Sequence, residues 1–227
     1  MGQIARYDGL AEWYDALVRD SPLASVPLDA LEELLGRGPG RCLDLGCGTG
    51  VAFDLLDRLR WSIVGVDVSS DQLRVAEEHA AGIGAELVHA DATDLPFADA
   101  SFAAVVSLLT HTDFDDFPAV AREAARVLVP GGKLVYVGPH PCFLSPTAER
   151  RTDGPHLLHE GYRRQEWWHE APGFRFGREG IRGRVGVNHL PLGAFLNAFV
   201  GAGLVLQRVD EPGEEDYPYL IAVEARR

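Results

Sequence analysis

Gly46, Gly48 and Gly50 follow an apolar run that ends in Leu45, and an amphipathic stretch, VAFDLLDRLR, begins directly after them. A buried strand feeding a glycine turn and then a helix brings backbone N–H groups up to a ligand with no side chains in the way. Asp44 stands two residues ahead of the first glycine. A buried acid there is expected to hold the turn, through its N–H groups or a water, rather than to touch a ligand. Cys47 lies inside the turn, so its backbone is expected at the ligand and its thiol is incidental. Two histidines could move protons, because imidazole titrates near neutral pH. His111, in SLLTHTDFDD, has Asp113 or Asp115 to orient it, and is otherwise a partly buried histidine bonded to backbone. His140, in GPHPCF, is either a second base or a shaper of the pocket between Pro139 and Pro141. His140-x-Cys142 and His156-x-x-His159 match no regular zinc spacing, so no metal is expected.

These residues need a frame, and the chain supplies one by alternation. Residues 1–36 read as helical, with Leu10, Trp13, Tyr14, Leu17 and Val18 at helical spacing and Ser21-Pro22 as an interruption. Tyr7 and Tyr14 are either core aromatics or a flap over a ligand. Strands then alternate with helices: RCLDL, the helix 51–60, SIVGVDV, a helix capped by Ser69 or Ser70, AELVHAD, FAAVVSLL, the helix DFPAVAREAARVL, a PGG turn and KLVYVG. Such alternation implies right-handed βαβ units and a parallel sheet covered on both faces. Residues 139–190 carry no sustained period and read as a cap, with Trp167, Trp168, Phe174 and Phe176 lining an apolar acceptor pocket or packing the cap down. A helix (LPLGAFLNAFVGAG) and two strands close the chain over 191–227.

The whole chain, 227 residues with 46% hydrophobic and 24% charged, is the size and composition of one globular α/β domain spanning 1–227. A formal net charge of −13 argues against a nucleic-acid partner, despite the arginines at 150, 151, 163 and 164. The three cysteines form no disulfide framework. Neither a signal peptide nor a membrane-spanning run is evident, so a cytoplasmic protein with no membrane partner is expected.

The glycine turn excludes one ligand by counting. In G-x-G-x-x-G the third glycine would fall at Val51, against a dinucleotide and an NAD-dependent oxidoreductase. D-x-G-x-G-x-G in LDLGCGTG instead resembles the first motif of the class I S-adenosylmethionine (SAM) dependent methyltransferases. VGVDVS, HADATDLPF, FAAVVSLLTHTDFDDF and RVLVPGGKLVYVG resemble that family's next segments, in order. The resemblance implies a Rossmann-like, seven-stranded, mostly parallel sheet with helices on both faces and an antiparallel final strand, in a small-molecule methyltransferase with a cap inserted after the fifth strand. It implies SAM as cofactor, with S-adenosylhomocysteine (SAH) as product. Gly46, Cys47, Gly48 and Gly50 would sit at the donor, Asp67 on the ribose hydroxyls with Val68 beside it, Asp91 and Ala92 at the adenine, and Ser107 on the same strand edge. Asp67 could instead cap the following helix, and Asp91 could be a turn residue. Tyr14 is expected to close over the donor, by its position in the N-terminal helix alone. The acceptor is expected to be a small molecule, often a specialised metabolite in such proteins, methylated at O, N or C by a monomer or homodimer. A SAM-binding protein that does not catalyse is the alternative.

Overall fold

The computed structural model describes residues 5–19, 21–151, 153–174 and 177–227. Seven strands form one sheet: β1 (Arg41–Leu45), β2 (Ser62–Asp67), β3 (Glu86–His89), β4 (Phe102–Leu108), β5 (Leu128–Pro139), β6 (Val205–Asp210) and β7 (Leu220–Arg226). Their spatial order is β3-β2-β1-β4-β5-β7-β6. The pairs from β3 to β5 are parallel, while β7 runs antiparallel to both β5 and β6. This is the Rossmann-like arrangement expected, and strand order reverses between β1 and β4, where such sheets open a crevice at the carboxyl ends.

Alternate strand residues feed two cores, because successive side chains point to opposite faces. On one face Leu43, Val64, Val105, Tyr136 and Val223 pack under α5 (Phe117–Val127) and α7 (Leu192–Gly201). On the other, Cys42, Ile63, Ala104, Val135 and Ala222 meet α2 (Pro22–Leu35), α3 (Phe53–Arg58) and α4 (Ser70–Ala80). The expected interruption falls between α1 (Ala11–Val18) and α2, which begins at Pro22, where a missing N–H costs nothing, and runs on through Pro27 into the LDALEELL stretch. The PGG turn lies inside β5: Phe102 pairs with Leu128 and Ala104 with Lys133, so residues 129–132 loop out around Gly131 at φ +77°.

Ser69 caps α4, its Oγ accepting from Gln72 N at 3.1 Å, as one of the two expected caps. In 139–190 regular structure is sparse. Residues 148–149 pair with 157–158, residues 167–168 pair with 187–188, and α6 (Ile181–Val185) is a single short helix. Among the described residues no helix is long and apolar enough to cross a membrane.

Candidate active site

The first three strand ends build one wall of a cleft. Gly46 (φ +74°) and Gly48 (φ +53°) adopt the left-handed conformation, and a Cβ on Gly46 would lie 2.8 Å from Thr110 Cγ2. Glycine is therefore required where β1 passes the loop after β4. The turn is held by β2: Val66 O accepts from Gly46 N (2.9 Å) and Cys47 N (3.0 Å). Asp67, at the end of β2, accepts from Gly48 N at Oδ2 and from Ser69 N at Oδ1, both at 2.9 Å. Each carboxylate oxygen keeps a further lone pair. Burial pushes Asp67 above the usual carboxylate range, and the N–H donors of Ser69 and Gly48 pull it back.

Two lobes open beside this wall. The larger encloses about 710 Å³, part of it open to solvent, between Asp67, Val68, Gln72, Ala92, Asp113 and Phe114. The smaller, about 350 Å³, lies between Asp44, Cys47, Val51 and Ala52. Tyr14, Gly46, Gly48, Leu108 and Leu109 border both. The expected role of Asp44 needs correction. It is 2% exposed and borders the smaller lobe, and among the described residues no donor reaches it. Burial, then the neighbouring charge of Asp67, pushes its carboxyl up to about 7.

Tyr14 reaches the cleft because the N-terminal segment is pinned to α4. Gly9 N donates to Asp71 Oδ2 (2.8 Å) and Ser69 Oγ to Asp8 Oδ1 (2.6 Å), while Arg19 Nη2 donates to Thr49 O (3.2 Å). The Tyr7 and Tyr14 rings meet edge-on at 5.2 Å. The 139–190 segment ties itself to the loop after β4 from the other side. Arg182 Nη1 pairs with Asp113 Oδ1 at 2.6 Å, and Asn188 Nδ2 donates to Phe114 O at 2.7 Å. Trp167 Nε1 donates to Asp115 Oδ1 at 2.7 Å, with the Arg6 guanidinium 3.6 Å above the indole.

Three other expected site residues lie outside both lobes. Gly50 (φ +82°) serves α3, since a Cβ there would come within 2.5 Å of the Phe53 ring. Ser107 Oγ donates to Leu45 O at 2.9 Å and meets Thr110 Oγ1 at 2.5 Å, knitting β4 to β1. Asp91 Oδ1 accepts from Thr93 N (2.9 Å) and Thr93 Oγ1 (2.8 Å), a turn geometry.

The histidines also depart from expectation. His111 is 1% exposed, set among Phe117, Tyr136 and Phe195, with Nδ1 bonded to the Tyr136 hydroxyl. Burial pushes it down to about 3, so the ring stays neutral. It belongs to the core and not the rim, because the chain turns inward at Leu109 (φ +62°) and continues as a 3₁₀ turn over His111–Asp113. His140 is 2% exposed; its Nδ1 accepts from Cys142 N and its Nε2 meets Glu211 Oε1, both at 3.0 Å. Asp113, expected only to orient His111, instead faces the cleft, with Tyr7 Oη 3.4 Å away. Gln72 is a lining residue that the sequence reading missed; its only signal was its place in the first turn after the Ser69 cap. Trp167, Trp168 and Phe174 border neither lobe, and Phe176 lies outside the described residues. His156, His159 and His189 bond separately to Tyr219, Glu149 and Tyr162 O, and no group of three metal-ligating side chains occurs among the described residues.

The donor set fits SAM. Asp67 offers lone pairs to vicinal hydroxyls, Asp44 offers a carboxyl to a cationic end, and the buried Gln72 carboxamide finds no hydrogen-bond partner among the described residues. Comparison with known proteins agrees. Residues 43–136 match a family described as "Methyltransferase domain". The chain is similar to a demethylmenaquinone methyltransferase of Thermotoga maritima, 35% identical over 154 residues, covering 64% of this chain and 63% of that one. It is 34% identical over 143 residues to a nocamycin O-methyltransferase of Saccharothrix syringae, covering 60% and 50%. The matched stretch thus spans between half and two thirds of these relatives. A crystal structure of a SAM-dependent methyltransferase from Mesorhizobium loti superposes with a TM-score of 0.75 at 24% identity, covering 89% of this chain and 98% of that one. The matched stretch, residues 43–136, holds the glycine turn, Asp67 and the loop after β4, so this part of the chain is similar to a methyltransferase domain, and the fold is the one that the Mesorhizobium loti SAM-dependent methyltransferase adopts.

Proposed function

We propose that this chain is a methyltransferase that moves a methyl group from SAM to a small acceptor bearing no negative charge. The observation that carries the reading is the charge of the cleft. Asp44, Asp67 and Asp113 line it, Asp113 being paired with Arg182 at 2.6 Å, and the one cation on its described lining, Arg6, is engaged by Asp115 at 2.8 Å. Such a floor favours a sulfonium and an ammonium and disfavours an anionic acceptor. The similarity to enzymes named as a demethylmenaquinone methyltransferase and a nocamycin O-methyltransferase supports a small-molecule acceptor, with specialised metabolites as the natural class.

When bound, SAM supplies an electrophilic methyl group on a positively charged sulfur. The protein's own part is alignment and exclusion of water, which is worth up to about 7–11 kcal/mol for a well-oriented displacement. Asp67 accepts the ribose hydroxyls, the bare backbone of Gly46 and Gly48 permits close approach, and Val68 and Ala92 flank the adenine side. Asp44 ionises against the ammonium end, and Tyr14 closes the junction of the lobes. His111 and His140 are buried and line neither lobe of the cleft, so neither serves as base. The titratable pair facing the acceptor side is Asp113 with Tyr7. Burial raises the Asp113 carboxyl, with the Arg182 guanidinium opposing, so it can take the proton of an acidic acceptor.

The test is SAH formation from SAM and a panel of phenols, enols and amines, with calorimetric titration of SAM in parallel. Turnover on neutral acceptors, with none on carboxylates, is expected. Binding of NAD(H) in place of SAM overturns the reading. Tight SAM binding with no turnover anywhere on the panel identifies a non-catalytic SAM-binding protein.

A further inference from the structure

Eight large hydrophobic side chains are exposed among the described residues, and four of them, Leu144, Leu157, Leu158 and Tyr217, gather in one place. The frame is the hairpin that pairs 148–149 with 157–158, packed on the loop between β6 and β7. Tyr219 Oη and His156 Nε2 lie 3.0 Å apart, and the Tyr217 ring meets His156 edge-on at 4.4 Å. Phe143, next to Leu144, brings its ring to 6.1 Å from that of Tyr217. Leu158, at 72% exposed, stands furthest into solvent. Single exposed apolar residues are ordinary, whereas a group of them side by side marks a contact surface.

Charges of opposite sign flank this group. The turn of the hairpin carries Arg150 and Arg151, both exposed. Arg150 lies 4.1 Å over the Tyr219 ring, and among the described residues no carboxylate pairs with it. Arg151 reaches only Asp153, at 3.7 Å. The β6–β7 loop carries Glu214, Glu215 and Asp216, all exposed and, among the described residues, without a cationic partner. Arginines and carboxylates thus share one face with no ion pair joining them. That arrangement selects the partner. An anionic lipid surface or a nucleic acid would meet repulsion from the acidic loop. A second copy of the chain is complementary, because about a two-fold axis the arginine turn of each copy meets the acidic loop of the other.

We propose that two copies of this chain associate through this face as a two-fold dimer. Leu157, Leu158 and Tyr217 form its apolar centre, and Arg150 and Arg151 of each copy lie against Glu214, Glu215 and Asp216 of the other at the rim. No residue of this face borders the cleft, so the inference stands apart from what the cleft binds.

Sedimentation equilibrium at about 0.15 M salt, where the net charge of each copy is screened beyond about 8 Å, tests this. Wild type is expected to approach twice the 24.7 kDa chain mass as concentration rises. Arg150→Glu with Arg151→Glu, and separately Glu214→Arg with Glu215→Arg, should each weaken self-association about 100-fold, since both arms of the dimer then meet like charge. An equimolar mixture of the two variants should associate within about threefold of wild type, because each reversed surface meets its reversed complement. Unfolding temperatures should stay within about 2 °C of wild type, these positions being exposed. Leu158→Ser, expected to weaken association about tenfold through the apolar area left unburied, serves where a reversed variant does not fold. A wild type that remains a single chain up to about 1 mM overturns the proposal. So does a dimer that none of these variants weakens, or a mixture that fails to restore it. Binding to anionic phospholipid vesicles in place of self-association also overturns it, by assigning the face to a membrane.

Discussion

The donor wall lines the cleft, whereas the 139–190 segment borders neither lobe and meets the cleft only through the loop after β4, and the two are made in different ways. The wall is backbone geometry: positive φ at Gly46 and Gly48, N–H groups aimed by β2, and a carboxylate at a strand end. The segment has almost no regular structure and holds its place through side chains, Arg182 on Asp113, Trp167 on Asp115 and Asn188 on the Phe114 carbonyl. Backbone held by a seven-stranded sheet changes little when a side chain changes, whereas single contacts can be exchanged one at a time. On the proposed reading, the donor site is thus held by backbone and the segment behind the loop after β4 by exchangeable side-chain contacts.

That division can be broken by experiment. The largest effect is expected from Asp67→Ala. Loss of two bonds to a charged acceptor should weaken SAM binding by about 100-fold or more, with unfolding temperature little changed. Unchanged affinity by calorimetry would remove Asp67 from the ribose. Arg182→Met probes the other region by leaving Asp113 without its counter-charge. Both side chains are about a fifth exposed, 23% and 20%, which moderates the cost. A stability loss of roughly 1–3 kcal/mol and about a tenfold rise in acceptor KM are expected, with SAM affinity within about twofold. An equal fall in SAM affinity would mean that the two regions act as one.

His111 sharpens the boundary between site and core. His111→Leu should lower kcat by less than about fivefold, whereas a general base would cost about 100-fold. Stability should still depend on this residue through pH. The native ring is held to about 3 and the unfolded one titrates near its ordinary value of 6.5. Below about 6.5 the unfolded chain binds the extra proton, so the His111 contribution is complete above that pH and is lost as pH falls toward 3. Denaturation midpoints measured between pH 7 and 4 should fall less steeply in His111→Leu. The smallest effect belongs to Asp44, whose carboxyl titrates at about 7. A cationic donor prefers the ionised form, so SAM affinity should rise about threefold from pH 6 to pH 8. Asp44→Asn should flatten that dependence.

Much of the donor wall was legible because it is local. A strand period of two, a glycine turn and a parallel sheet together put Asp67 and Gly48 on one edge, and the Ser69 cap follows from its place before α4. The parallel pairing of the first five strands was equally readable from the alternation of elements, whereas their spatial order was not. The partnership of Asp113 with Arg182 was not, because it joins residues 69 positions apart across a stretch with no period to read. His111 was misplaced for a smaller reason: the left-handed Leu109 turns the chain inward, and no sequence pattern marks a non-glycine residue at φ +62°. Asp44 was misread because its position suggested a bond to the glycine turn, while β2 had already supplied those bonds.

The sheet order also bears on how the chain is made. β7 is last of the strands in sequence but lies between β5 and β6, with Ile221, Ala222, Val223 and Ala225 buried. During synthesis β5 leaves the ribosome long before the strand that joins it to β6, and β6 precedes that strand by only a short loop. Until then β5 presents an open edge and β6 has no neighbour, the exposed pairing surface that invites aggregation. A nascent chain halted before Leu220 would carry a complete donor wall on an unclosed sheet, so chaperone capture should end once β7 inserts.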